Sequence, residues 1–340
     1  MKKTGRGVAC MWYGVWGVPS VAVVKIDTGG DVTLITGEVE IGQGSDTILS
    51  QMVAEELGVP LERVNVVSGD SDIVLHAGSS SGSRVTYMGG NAVRRAAAEA
   101  RGKIFAVAAE WLHATVEALE AKDGMIYVKG VPDKFVSFAN VAVSIMEREG
   151  PIVATANFSP STTQINPETG QGDPFQTYVY ATQIADVEVD TETGIVKVLR
   201  ITAAHDVGRA INPAFVEGQI YGGIASGLGQ ALTEDIMIYK GRTLNSSFAD
   251  YLIPTSVDMP EVQAIIVEEN EPSGPFGAKC VGEPPSLPTA PAIINAIYNA
   301  VGVRIKDLPA TPEKILRALK EKKDSSQPQV APLSRTRKRD

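Results

Sequence analysis

One plan occurs twice in this chain, and that duplication restricts the fold more than any single motif does. Near the start, Ser20 to Ile26 and Val32 to Ile35 are β-branched and apolar, and Asp27 to Asp31 between them supplies turn chemistry. A glycine turn, Gly42-Gln43-Gly44, follows. Then Ile48, Leu49, Met52, Val53 and Leu57 fall on one helical stripe that Ser45 or Asp46 can cap and Gly58-Val59-Pro60 ends. In the second half, Val187 to Asp190 and Ile195 to Ile201 flank the turn residues Thr191 to Gly194. They run into His205-Asp206-Val207-Gly208, and a helical stretch begins near Asn212-Pro213. In both halves roughly 17 or 18 residues separate the first strand from its glycine turn. The expectation is an α+β protein of two similar lobes, each a hairpin-rich sheet plus helices, with a site in the cleft between them.

Between the copies, Gly90 to Lys122 is Ala-rich and predicts a helix, and Ile152 to Asp173 predicts an irregular Pro/Thr/Asn/Gly-rich connection. The expected division is a first lobe at 1–165, a second at 166–322 and a tail at 323–340. That tail is rich in Ser, Pro, Gln, Arg and Lys, has little to bury and is expected to be disordered.

With 340 residues the chain can bury substantial cores, and its net charge of −9 speaks against nucleic acid as its ligand. Cys10 and Cys280 are too few to ligate an iron–sulfur cluster, and His76, His113 and His205 lack zinc-site spacing. Any metal centre must therefore be held by something other than the usual Cys/His sets. Lys2, Lys3 and Arg6 ahead of an apolar run to Val24 have the outline of a leader. Gly14, Gly17, Pro19 and the bulky Trp12, Tyr13 and Trp16 interrupt it, and it passes directly into a strand pattern. The expected location is the cytoplasm.

Three glycine-rich segments carry chemistry. At Gly42-Gln43-Gly44, free helix N–H groups suit phosphate oxygens or a ring carbonyl, and the Gln43 amide both donates and accepts. A plain tight turn is the competing reading, and Asp46 would repel a phosphate placed there. Gly78 to Arg84 offers backbone N–H groups, hydroxyls and a guanidinium to an anion, or is a surface loop. In Gly282-Glu283-Pro284-Pro285 a carboxylate sits on stiff backbone, the setting a general base needs, where an isolated Glu is otherwise a salt-bridge or capping residue. Gln219 lies on a Gly-rich helical stretch and by itself reads as solvent-facing. Asp206 reads as a turn residue, and Cys280 as a buried thiol rather than a nucleophile.

Taken in order, these segments resemble the molybdenum-binding part of the xanthine dehydrogenase/aldehyde oxidase family. The resemblance rests on Glu40-Ile-Gly-Gln-Gly-Ser45, Gly82-Ser-Arg-Val-Thr-Tyr-Met-Gly-Gly-Asn-Ala-Val93, Asp206-Val-Gly-Arg-Ala-Ile-Asn-Pro213, Gly218-Gln-Ile-Tyr-Gly222 and Gly277-Ala-Lys-Cys-Val-Gly-Glu-Pro-Pro285. It covers roughly residues 5 to 320. Asn166 to Phe175 and Tyr180 to Asp190 are most similar to the medium molybdopterin subunit of split enzymes such as nicotinate dehydrogenase.

The resemblance implies a molybdopterin cofactor in its cytosine dinucleotide form, with molybdenum held by the cofactor's own sulfurs and by no protein side chain. Ile41, Gly42, Gln43, Gly82, Ser83 and Gln219 match positions that hold the pterin and its pyrophosphate. Glu283 matches the base that takes a proton from the attacking oxygen, and Trp12 and Tyr13 lie where the family places a substrate-facing aromatic. Cys280 departs from the glycine expected there. The implied partners are a large molybdopterin subunit, an iron–sulfur subunit and an FAD subunit. The implied reaction is hydroxylation of an N-heteroaromatic such as a nicotinate or purine, with water as oxygen source. Aldehyde or carbon monoxide oxidation, and a non-catalytic scaffold, are the alternatives.

Overall fold

The computed structural model describes residues 1–15 and 17–326. The chain opens with β1 (Lys2–Gly14), then forms the hairpin β2 (Ser20–Ile26) and β3 (Val32–Thr36). Helix α1 (Ser45–Leu57) crosses to β4 (Val64–Val67), which lies parallel to β3. Next come α2 (Gly90–Leu112), the meander β5 (Leu119–Lys122), β6 (Met125–Val128) and β7 (Val131–Ser137), and α3 (Phe138–Glu149). Strand β8 (Ile152–Phe158) then returns antiparallel to β2.

The second half runs through the same steps. Strands β9 (Tyr178–Asp190) and β10 (Val196–Asp206) form a hairpin, and α4 (Pro213–Leu232) follows. Past a small ribbon, β11 (Ile238–Tyr239) and β12 (Arg242–Thr243), the chain reaches β13 (Glu261–Val267), parallel to β10. Helices α5 (Thr289–Val301) and α6 (Pro312–Ser326) follow.

The two main sheets are built alike, in the orders β4-β3-β2-β8 and β13-β10-β9-β1. Each has a hairpin at its centre, a parallel strand reached through a crossing helix at one edge, and an antiparallel strand at the other. The α+β architecture of two similar lobes is therefore present. The second sheet takes its outer strand from the far end of the chain, because β1 pairs with β9 along its whole length. Residues 2–14 thus join the sheet of the lobe expected to begin at 166.

Strict alternation explains the sheets: Ala22, Val24 and Ile26 of β2 and Val32 and Leu34 of β3 point inward and are buried. Helix α2 covers them with Ala96, Ala97, Ala100, Ile104 and Ala108, and the four alanines bring its backbone close. Helix α5 crosses β1 and β9 still more tightly. A Cβ on Gly5 would sit 2.4 Å from the Ala296 carbonyl oxygen, and one on Gly7 2.2 Å from that of Ala292, so β1 needs glycine at both points.

Three expectations change. The helix predicted to Lys122 stops at Leu112, where His113 adopts a left-handed conformation and Thr115 turns extended, leading to β5. Residues 152–158, predicted as connection, form β8, since Ile152, Ala154 and Phe158 alternate inward and complete the first sheet. The expected tail begins inside α6, which reaches Ser326, and its remainder lies outside the described residues. Among the described residues no helix is long and apolar enough to cross a membrane.

Candidate active site

Glu283 stands where the lobes meet, at the entry to a short turn, Pro284–Ser286, that the two prolines stiffen. Beneath that turn, Gln183 of β9 donates to the Pro285 carbonyl at 2.8 Å, and Thr289, at the start of α5, donates to Gln183 Oε1 at 2.7 Å. The second N–H of the Gln183 amide faces His205 Nε2 at 3.3 Å. Gln183, His205 and Thr289 are fully buried. Burial pulls the His205 imidazole down to about 4, so it is neutral near pH 7 and can accept from the amide.

Above the turn, the 82–83 loop of the first lobe and strand β1 together grip Glu283. The Gly82 N–H donates to Glu283 Oε1 at 3.2 Å, and the Ser83 hydroxyl accepts from the Glu283 N–H at 2.8 Å. Tyr13 of β1 donates its hydroxyl to Oε2. Partial burial, and then this bond to a carboxylate, push the Tyr13 phenol above its ordinary range. Ser83 holds a left-handed backbone, φ +52°.

The Gly42-Gln43-Gly44 turn differs from the sequence expectation in one respect. The N–H groups at the start of α1 are already filled by the chain's own Glu40, which accepts from Gly42 at 2.7 Å, Gly44 at 2.9 Å and Asp46 at 3.1 Å. Glu40, not Ser45 or Asp46, is the cap. Burial opposes ionisation of this carboxyl, but the backbone donors outweigh it and hold the group below the usual range. The Gln43 amide folds onto its own turn, accepting from the Ile41 N–H at 2.7 Å and donating to the Val39 carbonyl at 3.0 Å. It keeps a second N–H and a carbonyl lone pair for a ligand.

Arg84 also takes a different role from the anion donor expected. Its guanidinium is buried against Glu38 at 2.9 Å and donates to the Val18 carbonyl and to Ser20. This pair anchors the 78–84 loop rather than receiving an anion.

These elements enclose a cavity of about 280 Å³ between the lobes. Ile41, Gln43, Ser83, Gln219 and Glu283, far apart in sequence, all line it, with Gly42 in the adjoining turn. Gln219 on α4 faces this cavity rather than bulk solvent. Its amide, like the Arg209 guanidinium at the same cavity, has no hydrogen-bond partner among the described residues. Lys279 is neutralised by Asp206 at 2.6 Å, and Asp206 also accepts from the Gly208 N–H, the turn role expected of it. Cys280 is buried, and burial pushes its thiol well above the usual range. Trp12 does not join the site. It neighbours Tyr13 on a strand, so its side chain leaves by the other face, 62% exposed and edge-on to Tyr178.

Sequence reading missed Glu40, Glu38, Gln183 and Thr289. For Gln183 a signal existed: the inward positions of β9 are Val179, Ala181, Gln183, Ala185, Val187 and Val189, and a lone amide on an apolar face requires a partner.

A fit to a pterin cofactor follows from the donors present. Gln43 and Gln219 offer amides that both donate and accept, as the edge of a pterin requires, and Arg209, without an ion-pair partner among the described residues, offers a cation to a phosphate. Residues 1–260 match the molybdopterin cofactor-binding domain family. A xanthine dehydrogenase molybdenum-binding subunit of Escherichia coli O157:H7 is 35% identical over 325 residues, covering 92% of this chain and 42% of its own length. The nicotine 6-hydroxylase large subunit of Paenarthrobacter nicotinovorans is 34% identical, covering 91% and 38%. The crystal structure of quinoline 2-oxidoreductase from Pseudomonas putida 86 superposes with a TM-score of 0.84 at 30% identity, covering 94% of this chain and 42% of that one. The chain thus spans about two fifths of the length of these relatives.

Proposed function

This chain belongs to the molybdopterin cofactor-binding domain family, and from that membership we propose that it builds one side of the active site of a molybdenum hydroxylase, with Glu283 as the base. The observation that carries the reading is Glu283 itself. It is a carboxylate on rigid backbone, at the wall of an interlobe cavity whose other polar residues suit a pterin.

In this reading Ile41, Gly42, Gln43, Gly82, Ser83 and Gln219 hold the cofactor, in the cytosine dinucleotide form, with Arg209 facing its phosphates. The cofactor, when bound, supplies the two-electron acceptor for a hydroxylation that uses water as oxygen source. Glu283 accepts the proton of that water. Among the described residues its Oε1 receives only the Gly82 N–H, so lone-pair capacity remains toward the cavity. Tyr13 holds Oε2, and in this reading it is the aromatic that a flat substrate meets. The substrate class proposed is an N-heteroaromatic such as a pyridine carboxylate or purine. A ring nitrogen draws density from the adjacent carbon and opens it to attack. Nicotine and quinoline, in the names of two relatives, are of that chemistry.

The other wall of the cavity is proposed to come from a large molybdopterin subunit, with iron–sulfur and FAD subunits completing electron transfer. Support comes from residues 236–257, where Ile236, Ile238, Phe248 and Val257 stand exposed, the last two by 80% and 91%. An apolar patch of this kind marks a protein interface. The test is purification of the native complex, its metal analysis, and a panel of nicotinate, hypoxanthine, xanthine and aliphatic aldehydes. Stoichiometric molybdenum with fastest turnover of a heterocycle is expected. No molybdenum would leave a scaffold, and aldehydes as the fastest substrates would overturn the substrate class.

A further inference from the structure

The geometry points to Ser83 as the residue that positions Glu283, a task separate from holding the cofactor; this rests on Glu283 being the base. Two hundred residues of sequence separate them, yet the Ser83 hydroxyl accepts the Glu283 backbone N–H at 2.8 Å and lies 3.4 Å from Oε2, toward which it donates. One hydroxyl so fixes both the backbone and the carboxylate of the same residue. The neighbouring Gly82 N–H holds the other oxygen at 3.2 Å.

The backbone of Ser83 gives an independent reason. Its φ of +52° is a left-handed conformation that costs a serine free energy and that glycine adopts freely. Gly82 beside it already has φ +68°. A chain that needed only a turn here is served better by a second glycine. Strain retained at a wall of the cavity is accounted for when the side chain performs a task, and the Ser83 hydroxyl is bonded to Glu283 at both its backbone and its carboxylate, with Tyr13 and Cys280 also beside it. The clamp also ties the lobes together, since Ser83 comes from the first and Glu283 from the second. The lower layer of Gln183 and Thr289 holds the turn but not the carboxylate, so the aim of the carboxylate is left to Ser83, Gly82 and Tyr13.

The decisive variant is Ser83→Gly, which removes the hydroxyl while relieving the backbone. The assembled enzyme is compared in four forms: wild type, Ser83→Gly, Glu283→Gln and the double variant. The readout is the single-turnover rate of cofactor reduction with the fastest substrate of the panel, together with molybdenum content and thermal midpoint. Ser83→Gly is expected to slow reduction by roughly 10- to 100-fold, the loss of one hydrogen bond to a charged group. Rates are taken per bound molybdenum, because Ser83 also faces the cofactor; substrate affinity should hold, and the thermal midpoint should hold or rise. In the Glu283→Gln background it should cost little more, because the two residues act as one unit. An equal fold-loss in both backgrounds, a loss that follows molybdenum content, or no loss at all overturns the assignment. Should Glu283→Gln alone keep full speed, it is the base reading that falls, and the clamp with it.

Discussion

Arg84 and Glu38 form an ion pair at 2.9 Å with both side chains almost wholly buried, one at the start of the wide turn into α2 and the other just beyond β3. Burying two charges stabilises little by itself, but stranding one is costly. Arg84→Met should therefore lower stability by about 3–5 kcal/mol. Combining it with Glu38→Leu should recover a large part. Urea unfolding of the two variants checks this, and a double variant no better than the single one counts against the pair as the cause.

Two glycines should respond in opposite directions. Gly7→Ala places a methyl 2.2 Å from the Ala292 carbonyl oxygen on α5 and should cost about 1–3 kcal/mol through forced separation of helix and strand. Gly102 lies exposed within α2 with nothing within 4 Å of a new Cβ. Gly102→Ala should stabilise by about 0.5–1 kcal/mol. Thermal unfolding of both, side by side, tests the packing described for β1 and α5.

The cap on α1 carries a pH signature. Glu40 is held below its reference value of 4.5, so its contribution is fully present above that pH and is lost as pH falls through the lowered folded value. Glu40→Gln should cost about 0.5–2 kcal/mol at pH 7, as lost caps do. The gap from wild type should narrow as the solution is acidified below that range. A gap unchanged from pH 7 into that acid range would show that the charge on Glu40 contributes nothing.

Much of this was legible in the residues. The duplicated hairpin, glycine turn and helix appear because their strands alternate strictly and their turns carry Gly and Asp at the needed points. The gathering of Gln43, Ser83, Gln219 and Glu283 around one cavity was legible through the resemblance, not through spacing. What escaped was non-local. Strand β1 looks like a broken apolar run, and nothing in its own stretch says that Gly5 and Gly7 are needed by α5, a partner nearly three hundred positions away. Glu40 could not be distinguished from a surface acid until the turn curled its N–H groups onto it. Arg84 looked like an anion donor because the buried Glu38 that neutralises it is a long-range partner.

The exposed apolar stretch near the β11–β12 ribbon should govern assembly. Phe248→Asp with Val257→Asp puts two charges where the surface is 80% and 91% exposed, so the fold of this chain should hold. Co-purification with a large molybdopterin subunit should drop by at least tenfold, about 1.4 kcal/mol at the interface. Undiminished co-purification would place the interface on another face.

The central claim is that Glu283 is the base, and Glu283→Gln in the assembled enzyme tests it most directly, because the amide keeps size and packing but cannot take a proton. Turnover and molybdenum content are measured on the same preparation. The expected result is molybdenum equal to wild type with turnover reduced by roughly 10²–10⁴-fold, the contribution of a positioned base. Near-normal turnover in a fully loaded variant would contradict the account.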